Sequence, residues 1–464
     1  MAKKSYTMDM VNGPLFKNVI KFSIPLMLTT LLQMCFNTAD TMVVGQFAGD
    51  NALAAVGATG SLCFLMVTMF NGLATGANVV IAKYFGAKDN ENISKSVHTA
   101  MTLSVISGVI LTAAGLVFAK PLLELMDTPE SIIDLSVLYL RIYFSGAIFF
   151  LVYNFGAAVL RSKGDTKRPV YFLSVSGVLN IVLNLIFVIV FHMGVAGVAI
   201  ATTASNALSS ILVVLALFKE EDATRIHLSK LKIDGSICSQ ILKIGVPAGI
   251  QGAMFALSNL VIQSSINSFD SSVIVAGNSA ASNVENFVYI GMNFSTATMT
   301  FISQNIGARH YKSIKKITAV TMLLNGGMAF VLGFLVWIFD KPILGLYTSS
   351  ADSAQVIAVG VIRVTWVALF LWLNGVMDVF LAALRGMGFS TTPTIIMIVC
   401  ICGLRLLWLF TVFPAHRSLN VIYYCFPISW VVSSIVLGIM FFVCYEKLMK
   451  KHGLTHSHKE ASAQ

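Results

Sequence analysis

The chain has 464 residues, of which 56% are hydrophobic and 11% charged, and its mean hydropathy is +0.82. So little polar surface cannot coat a water-soluble globule of this size, which excludes a soluble fold and leaves a helical protein that crosses the membrane many times. The formal net charge of +10 invites a nucleic-acid partner, and the placement of the charges argues against one.

Apolar runs of about 20 residues, each able to cross roughly 30 Å of hydrocarbon as a helix, recur along the whole length. Twelve are predicted, near residues 15–44, 52–82, 95–118, 131–160, 168–191, 194–218, 236–268, 273–305, 315–339, 353–384, 392–413 and 419–445. Of the 31 Lys and Arg, only Lys120, Lys341 and Arg417 fall on the side away from the termini, and Arg141, Arg363 and Arg405 lie within spans. The others, among them Lys83, Lys88, Arg161, Lys163 and Arg168, share the side of the termini. That asymmetry is the positive-inside bias, and it predicts a multi-pass protein of the cell membrane with both termini in the cytoplasm. The opening MAKKSYTMDMVNG has no cleavable signal pattern, so the first span is expected to stay.

In the first span, Pro25 predicts a kink or bend point, and Gln33, Asn37 and Asp40 follow at steps of four and three residues on one face. That face should turn away from lipid. An ionised carboxylate in hydrocarbon costs at least about 2.5 to 3.5 kcal/mol, which makes Asp40 a functional candidate unless it lies close enough to the outer surface to reach water. In the second span FNGLATG, at 70–76, places Gly72 and Gly76 in a small-xxx-small pattern suited to close helix packing. Asn71, Thr75 and Asn78 lie on a related face and would either line a polar cavity or bond across helices.

The fifth span carries Asn180 and Asn184 one turn apart on one face. The depth expected for both, for Thr202 in the sixth span and for Asp40 is similar. Four oxygen-bearing side chains at one level would suit a small cation, Na+ included, or a proton; the asparagines alone would also be accounted for by bonds between helices.

The second half repeats the first. KFSIPLML at 21–28, AKYFGAKDN at 82–90, FAKPLLELM at 118–126, YLRIYF at 139–144 and VLRSKGDTKRP at 159–169 return as KIGVPAGI at 243–250, SQNIGARHY at 303–311, FDKPILGLY at 339–347, VIRVTW at 361–366 and ALRGMGFSTTP at 383–393. Pro25 and Pro247, Gly86 and Gly307, Pro121 and Pro342, Arg141 and Arg363, and Arg161 and Arg385 are each separated by 221 to 224 positions. Two copies with an even number of spans enter the membrane in the same direction, which predicts parallel repeats and a site in the cleft between them. The expected fold is therefore an all-α membrane protein of twelve transmembrane helices in two six-helix lobes related by pseudo-twofold symmetry. Its parts would be a cytoplasmic N-terminus (1–14), an N-terminal lobe (15–218), a cytoplasmic linker (219–235), a C-terminal lobe (236–445) and a cytoplasmic tail (446–464).

The alignment of the halves sets Asn259 opposite Asn37, Ile262 opposite Asp40 and Asp378 opposite Asn154, so the second half has its own buried acid on a different helix. Glu285, near the middle of its span, is a coupling candidate or the partner of a salt bridge or amide. Arg405, in GLRLLWL, would face the cavity or pair with one of these acids. Arg141 and Arg363, towards the outer ends, are expected to snorkel. Seven Cys and eight His form no ligand pattern, no cofactor is implied, and the tail HSHKEASAQ at 456–464 reads as disordered.

With these motifs in hand, the chain resembles the multidrug and toxic compound extrusion (MATE) transporters over roughly residues 15–445. The matching stretches are NTADTMVVGQFAGDNALAAVG at 37–57, GANVVIAKYFGAKD at 76–89, AAVLRSKGDTKRP at 157–169, LNIVLN at 179–184 with GVAGVAIATT at 194–203, and MDVFLAALRGMGFSTTP at 377–393. The resemblance implies a monomeric antiporter that expels organic cations and other amphipathic drugs in exchange for protons or Na+, with no enzymatic step. It implies that Asp40 works with Asn180, Asn184 and Thr202 as the N-terminal ion site. Many relatives have Asp at the position of Asn184, and Phe255 stands where some have a second acid to pair with the one matching Asp378. Both departures turn the expectation towards protons. The substrate cavity would draw on Gln33, Asn37, Asn71, Asn154, Asn259 and Arg405. The rival readings are a flippase of lipid-linked saccharides with the same broad architecture, expected to line its cleft with several cations, an intramembrane enzyme, for which no catalytic motif stands out, and a channel, disfavoured by two separate buried acids.

Overall fold

Hydrocarbon offers the backbone no water, so each apolar segment closes its hydrogen bonds internally as a helix. The computed structural model describes residues 7–348 and 353–454, and the polar tail for which the sequence predicts disorder lies outside them. The helices are α1 (Leu15–Phe47), α2 (Asp50–Gly86), α3 (Asn90–Leu125), α4 (Glu130–Ser145), α5 (Ala147–Ser162), α6 (Lys167–Asn184), α7 (Gly194–Phe218), α8 (Gly235–Asn267), α9 (Ser272–Ile290), α10 (Phe294–Gly307), α11 (Ser313–Ile338), α12 (Asp340–Gly345), α13 (Ser353–Arg363), α14 (Leu371–Gly386), α15 (Thr391–Met397), α16 (Leu404–Ala415) and α17 (Leu419–Lys451). Among the described residues ten helices or continuous helical runs are long and apolar enough to cross a membrane, and the bent pair α4–α5 makes an eleventh. The expected span at 273–305 is the helix pair α9 and α10; α9 carries Asn278, Asn283, Glu285 and Asn286 within its 19 residues.

The span expected at 131–160 is two helices rather than one, bent by 44° at Gly146. The break frees carbonyls at the end of α4, and side chains from neighbouring helices take them up. The Thr112 hydroxyl donates to the Phe144 carbonyl at 2.8 Å, and the Thr203 hydroxyl to that of Ile142 at 3.2 Å. Short π-helical segments, Leu185–Val190, Val364–Ala368 and Ile398–Gly403, interrupt three further spans. By contrast α1 runs unbroken through Pro25, where the Thr29 hydroxyl donates to the Pro25 carbonyl at 3.0 Å.

The chain forms two compact units: residues 7–9 with 24–253, and residues 10–23 with 254–348 and 353–454. In the first, α2, α3, α4, α5 and α7 pack on one another, and α6 packs on α7. Without a hydrophobic force between helices in lipid, small residues that allow backbones to approach are what hold such a bundle. At Gly72 a Cβ atom would meet the Gly249 nitrogen at 2.2 Å, and at Gly76 the Ile241 carbonyl oxygen at 2.3 Å. The expected packing role of the two glycines is met, against the first half of α8. In the second unit α14 packs between α10, α11 and α17, while α9 packs on α13.

The charged interval after α7 is short of regular structure, with a single 3-10 turn at Leu228–Lys230, yet it is docked on the first unit. Lys163, expected as one more cytoplasmic surface charge, is 1% exposed. Its ammonium is held by Glu220 at 2.7 Å, Asp222 at 3.1 Å and the Thr224 hydroxyl at 3.1 Å. Arg168 joins the network through Glu220 at 2.6 Å and through Asp165. Further along, the His227 backbone N–H donates to His98 Nε2 at 3.0 Å, and the Asp234 N–H to the Thr99 hydroxyl at 3.1 Å. His98 Nδ1 lies 2.7 Å from the Ser94 carbonyl, which places the ring proton on Nδ1 and leaves Nε2 as the acceptor.

Two outcomes are expected in thermal unfolding of the purified protein. Gly72→Val should destabilise it by about 1 to 3 kcal/mol through overpacking against backbone that cannot give way, whereas Gly57→Ala, where a Cβ meets nothing within 4 Å, should leave the melting temperature unchanged or raise it slightly. Lys163→Met, which strands the carboxylates of Glu220 and Asp222, should cost roughly 3 to 5 kcal/mol and raise hydrogen exchange across residues 219–230; unchanged exchange there would contradict the clamp.

Candidate functional site

The first cluster of buried polar groups lies in the first unit. Asp40 on α1 meets the two asparagines of α6 and the threonine of α7 in a closed ring. The Asn184 amide donates to Asp40 Oδ1, and also to Asn180 Oδ1 at 3.3 Å. The Asn180 amide donates to the Thr202 hydroxyl at 3.4 Å, and that hydroxyl to Asp40 Oδ2 at 3.4 Å. Asn180 and Asn184 are buried, whereas Asp40 is half-buried. The one-turn spacing on α6 turns both amides to one side, and all four residues named from the sequence come together. Asn184 Oδ1 is buried without a partner among the described residues, so the ring keeps an acceptor in reserve. Tyr139 and Tyr143, stacked at 6.0 Å, belong to the apolar cluster that holds Val43 and Val44 of α1 with Val188 and Val198, and were not singled out by their sequence positions.

The other polar positions of this unit are more scattered. Gln33 and Asn37 are exposed on α1. Asn71 is half-buried on α2, with an Oδ1 that has no partner among the described residues. Asn78 donates to the Ala158 carbonyl at 3.1 Å and so ties α2 to α5. Asn154 is half-buried and donates to the Phe150 carbonyl of its own helix at 2.8 Å.

The second cluster surrounds a cavity of about 280 Å³ within the second unit, lined from α8, α9, α13, α14, α16 and α17 and from the segment Ile398–Gly403. Glu285 is 3% exposed there and is gripped at both oxygens by Arg363, Nε to Oε1 at 2.8 Å and Nη2 to Oε2 at 2.7 Å. Arg363 Nη1 donates to Asn278 Oδ1 at 2.5 Å, which also accepts from the Tyr423 hydroxyl at 3.0 Å. Arg363 therefore does not snorkel: a bidentate carboxylate inside the bundle is a better partner than a distant interface. At the position matching Glu285, the first half has Cys63 or Phe64, and Arg141 is exposed. The repeat of the arginine concealed this difference in partner.

Arg405 is buried beside the cavity. It pairs with none of the acids among the described residues: Nε donates to the Ser429 hydroxyl at 3.0 Å, and the guanidinium lies 4.3 Å from the Phe426 ring centre and 5.8 Å from that of Trp430. A cation at that depth costs roughly 2.5 to 3.5 kcal/mol at least, and a ring face offsets only part of it. Asn259 and Phe255 also line the cavity. Asp378 does not; it is half-buried on α14, where the Asn374 amide approaches its Oδ2 at 3.5 Å. The structure thus gathers Asp40, Asn180, Asn184 and Thr202 in one unit, and Asn259, Glu285 and Arg405 around a cavity in the other. Asn278, Tyr423 and Ser429 complete the second cluster, and no spacing in the sequence marks them.

A bundle of membrane-crossing helices that keeps ionisable and amide side chains inside, at such cost, defines a membrane transport protein of the helical class. The chain belongs to the MatE family, whose model matches twice, at residues 25–186 and at residues 247–411, in step with the repeat. It is 29% identical to the probable multidrug resistance protein YoeA of Bacillus subtilis (strain 168) over 398 residues, which cover 84% of this chain and 85% of that protein. It is 26% identical to the probable multidrug resistance protein NorM of Thermotoga maritima over 400 residues, 84% of each. Among solved structures, an outward-facing multidrug resistance MATE family transporter of the MOP superfamily aligns with a TM-score of 0.88 at 23% identity, covering 97% of this chain and all of that one. The crystal structure of a MATE protein in the bent conformation aligns with a TM-score of 0.88 at 22% identity, covering 96% and 99%. These likenesses establish the fold as that of the MATE proteins, an all-α membrane protein of twelve transmembrane helices in two six-helix lobes.

Glu285→Gln leaves Arg363 buried and unpaired, and should lower stability by roughly 3 to 5 kcal/mol. The exchange Glu285→Arg with Arg363→Glu should recover part of that loss in a double-mutant cycle, and additive losses would show that the pair is not coupled.

Proposed function

We propose that the protein is a multidrug exporter that expels organic cations and other amphipathic drugs across the cell membrane in exchange for protons, with both termini in the cytoplasm. The observation that carries the reading is the ring of Asp40, Asn180, Asn184 and Thr202. It holds one carboxylate and three neutral donors or acceptors, a set that suits one small positive charge at a time. Support comes from the relatives named as multidrug resistance proteins and from the multidrug export protein MepA of Staphylococcus aureus, 24% identical over 388 residues.

The mechanism is alternating access, with a proton and a drug cation taking turns against the same charge. A proton on Asp40 turns one of its two oxygens from acceptor to donor, so either the Asn184 amide or the Thr202 hydroxyl must give up its bond or reorient, and the packing of α1 against α6 and α7 weakens or rearranges. This drives transport only if the two access states bind the proton with different affinity. Na+ is the alternative coupling ion: it would draw on the same oxygens, including Asn184 Oδ1, although a single carboxylate leaves little charge to hold it. Asp378 is the second acid of the reading. Glu285 serves chiefly to hold Arg363.

Ethidium efflux from proteoliposomes, under an imposed pH gradient and then an imposed Na+ gradient, tests both parts. Efflux should follow the pH gradient, and Asp40→Asn should reduce it to the level of protein-free vesicles while the protein still folds. Full pH-driven efflux in Asp40→Asn would sink the reading, and efflux driven by Na+ alone would transfer it to the other ion.

A further inference from the structure

The cavity of the second unit has the opposite electrical character from the ring around Asp40. Arg363 is neutralised by Glu285 at two contacts, and Asp378 has Arg385 as its nearby cation on the same helix. Arg405 is left over. Tyr289 lines the same cavity, and the charged side chains of that lining are one carboxylate, Glu285, against two guanidiniums, Arg363 and Arg405. Among the described residues no carboxylate lies within ion-pair distance of Arg405. Its Nε is taken by Ser429 and one face by Phe426, which leaves the two Nη groups, on the edge of the fork that matches an oxyanion, for something other than protein.

We infer that this cavity is a binding site for an amphipathic anion: a carboxylate, sulfonate or phosphate ester received by Arg405, joined to an aromatic or apolar body received by Phe255, Tyr289, Phe426 and Trp430. The anion supplies the missing counter-charge where water is scarce and Coulomb attraction is strong. Asn259 and Gln263 add polar groups to the wall. A cavity of about 280 Å³ is at the small end for ligand sites, so the occupant is a compact molecule of one or two rings or the corresponding end of a larger one. The site extends the range of ligands beyond the cations of the export reading, and rests on that reading only in treating the cavity as open to substrates.

Isothermal titration calorimetry of the full chain in phosphatidylcholine nanodiscs tests the site with three probes of one shape: 1-naphthoate, 1-naphthylmethanol and 1-naphthylmethylammonium. Naphthoate should bind at least about tenfold more tightly than the alcohol, the order a charge-assisted contact contributes, and the ammonium most weakly. Arg405→Gln should bring naphthoate down to the alcohol without changing the alcohol, and Arg405→Lys should keep part of the preference. In nanodiscs containing phosphatidylglycerol, a loss of naphthoate affinity that Arg405→Gln abolishes would identify a lipid headgroup as the anion and support the site; unchanged affinity would support a soluble one. An ammonium probe bound as tightly as naphthoate overturns the inference, and this order of probes in the unaltered protein decides the matter even if the Gln variant does not fold. Preserved naphthoate preference in a folded Arg405→Gln overturns it as well. Cation-tight binding with intact ethidium efflux would remove the anion site alone, whereas naphthoate binding with no efflux would remove the export reading alone.

Discussion

A polar group in hydrocarbon has no water to turn to, and almost every informative feature of this protein follows from that. The carbonyls freed where α4 breaks from α5 are met by Thr112 and Thr203. The Asp40 carboxylate is met by Asn184 and Thr202, and the Glu285 carboxylate by Arg363. In water each of these contacts would be worth little, because solvent would replace it at small cost. Inside a bilayer the alternative is an unsatisfied charge or dipole, so the same contacts decide which helices lie beside which.

The constraint also separates structural charges from functional ones. Glu285 and Arg363 satisfy each other, with Asn278 and Tyr423 completing the set, and a closed network of this kind chiefly fixes α9 against α13 and α17. Among the described residues, Asp40 and Arg405 have no partner of opposite charge. Each is surrounded by neutral groups that can hold it but not neutralise it: amides and a hydroxyl around Asp40, a hydroxyl and aromatic faces around Arg405. A membrane protein retains an uncompensated charge at a cost, and a charged ligand is the simplest compensation.

The two halves of the chain repeat one sequence, yet the charges they bury differ in sign. The first half has an acid at position 40 where the second has Ile262, and the second has Glu285 where the first has Cys63 or Phe64. What the repeat retained is the frame: the prolines of α1 and α8, the loops after α2 and α10, and the arginines that end α5 and α14. The close contacts of Gly72 and Gly76 with α8 are not part of that frame: 221 to 222 positions on, the second half has Asn293 or Phe294 and Ala297 or Thr298.

Hydropathy, charge asymmetry and the repeat determined the class of fold, the spans and the kinship of the halves, because these depend on periodicity and on partition between water and lipid, which are properties of the chain itself. The Asp40 ring was legible for a related reason: an acid and two amides one turn apart stand out against an apolar background, and helical spacing alone sets their side. The pairing of Arg363 with Glu285, the unpaired state of Arg405, the burial of Lys163 under the linker and the bend at Gly146 were decided only by tertiary structure. Each depends on which helix lies opposite, and residues separated by 57 positions, as Lys163 and Glu220 are, or by 78, as Glu285 and Arg363 are, carry no mark in the sequence of being neighbours in space.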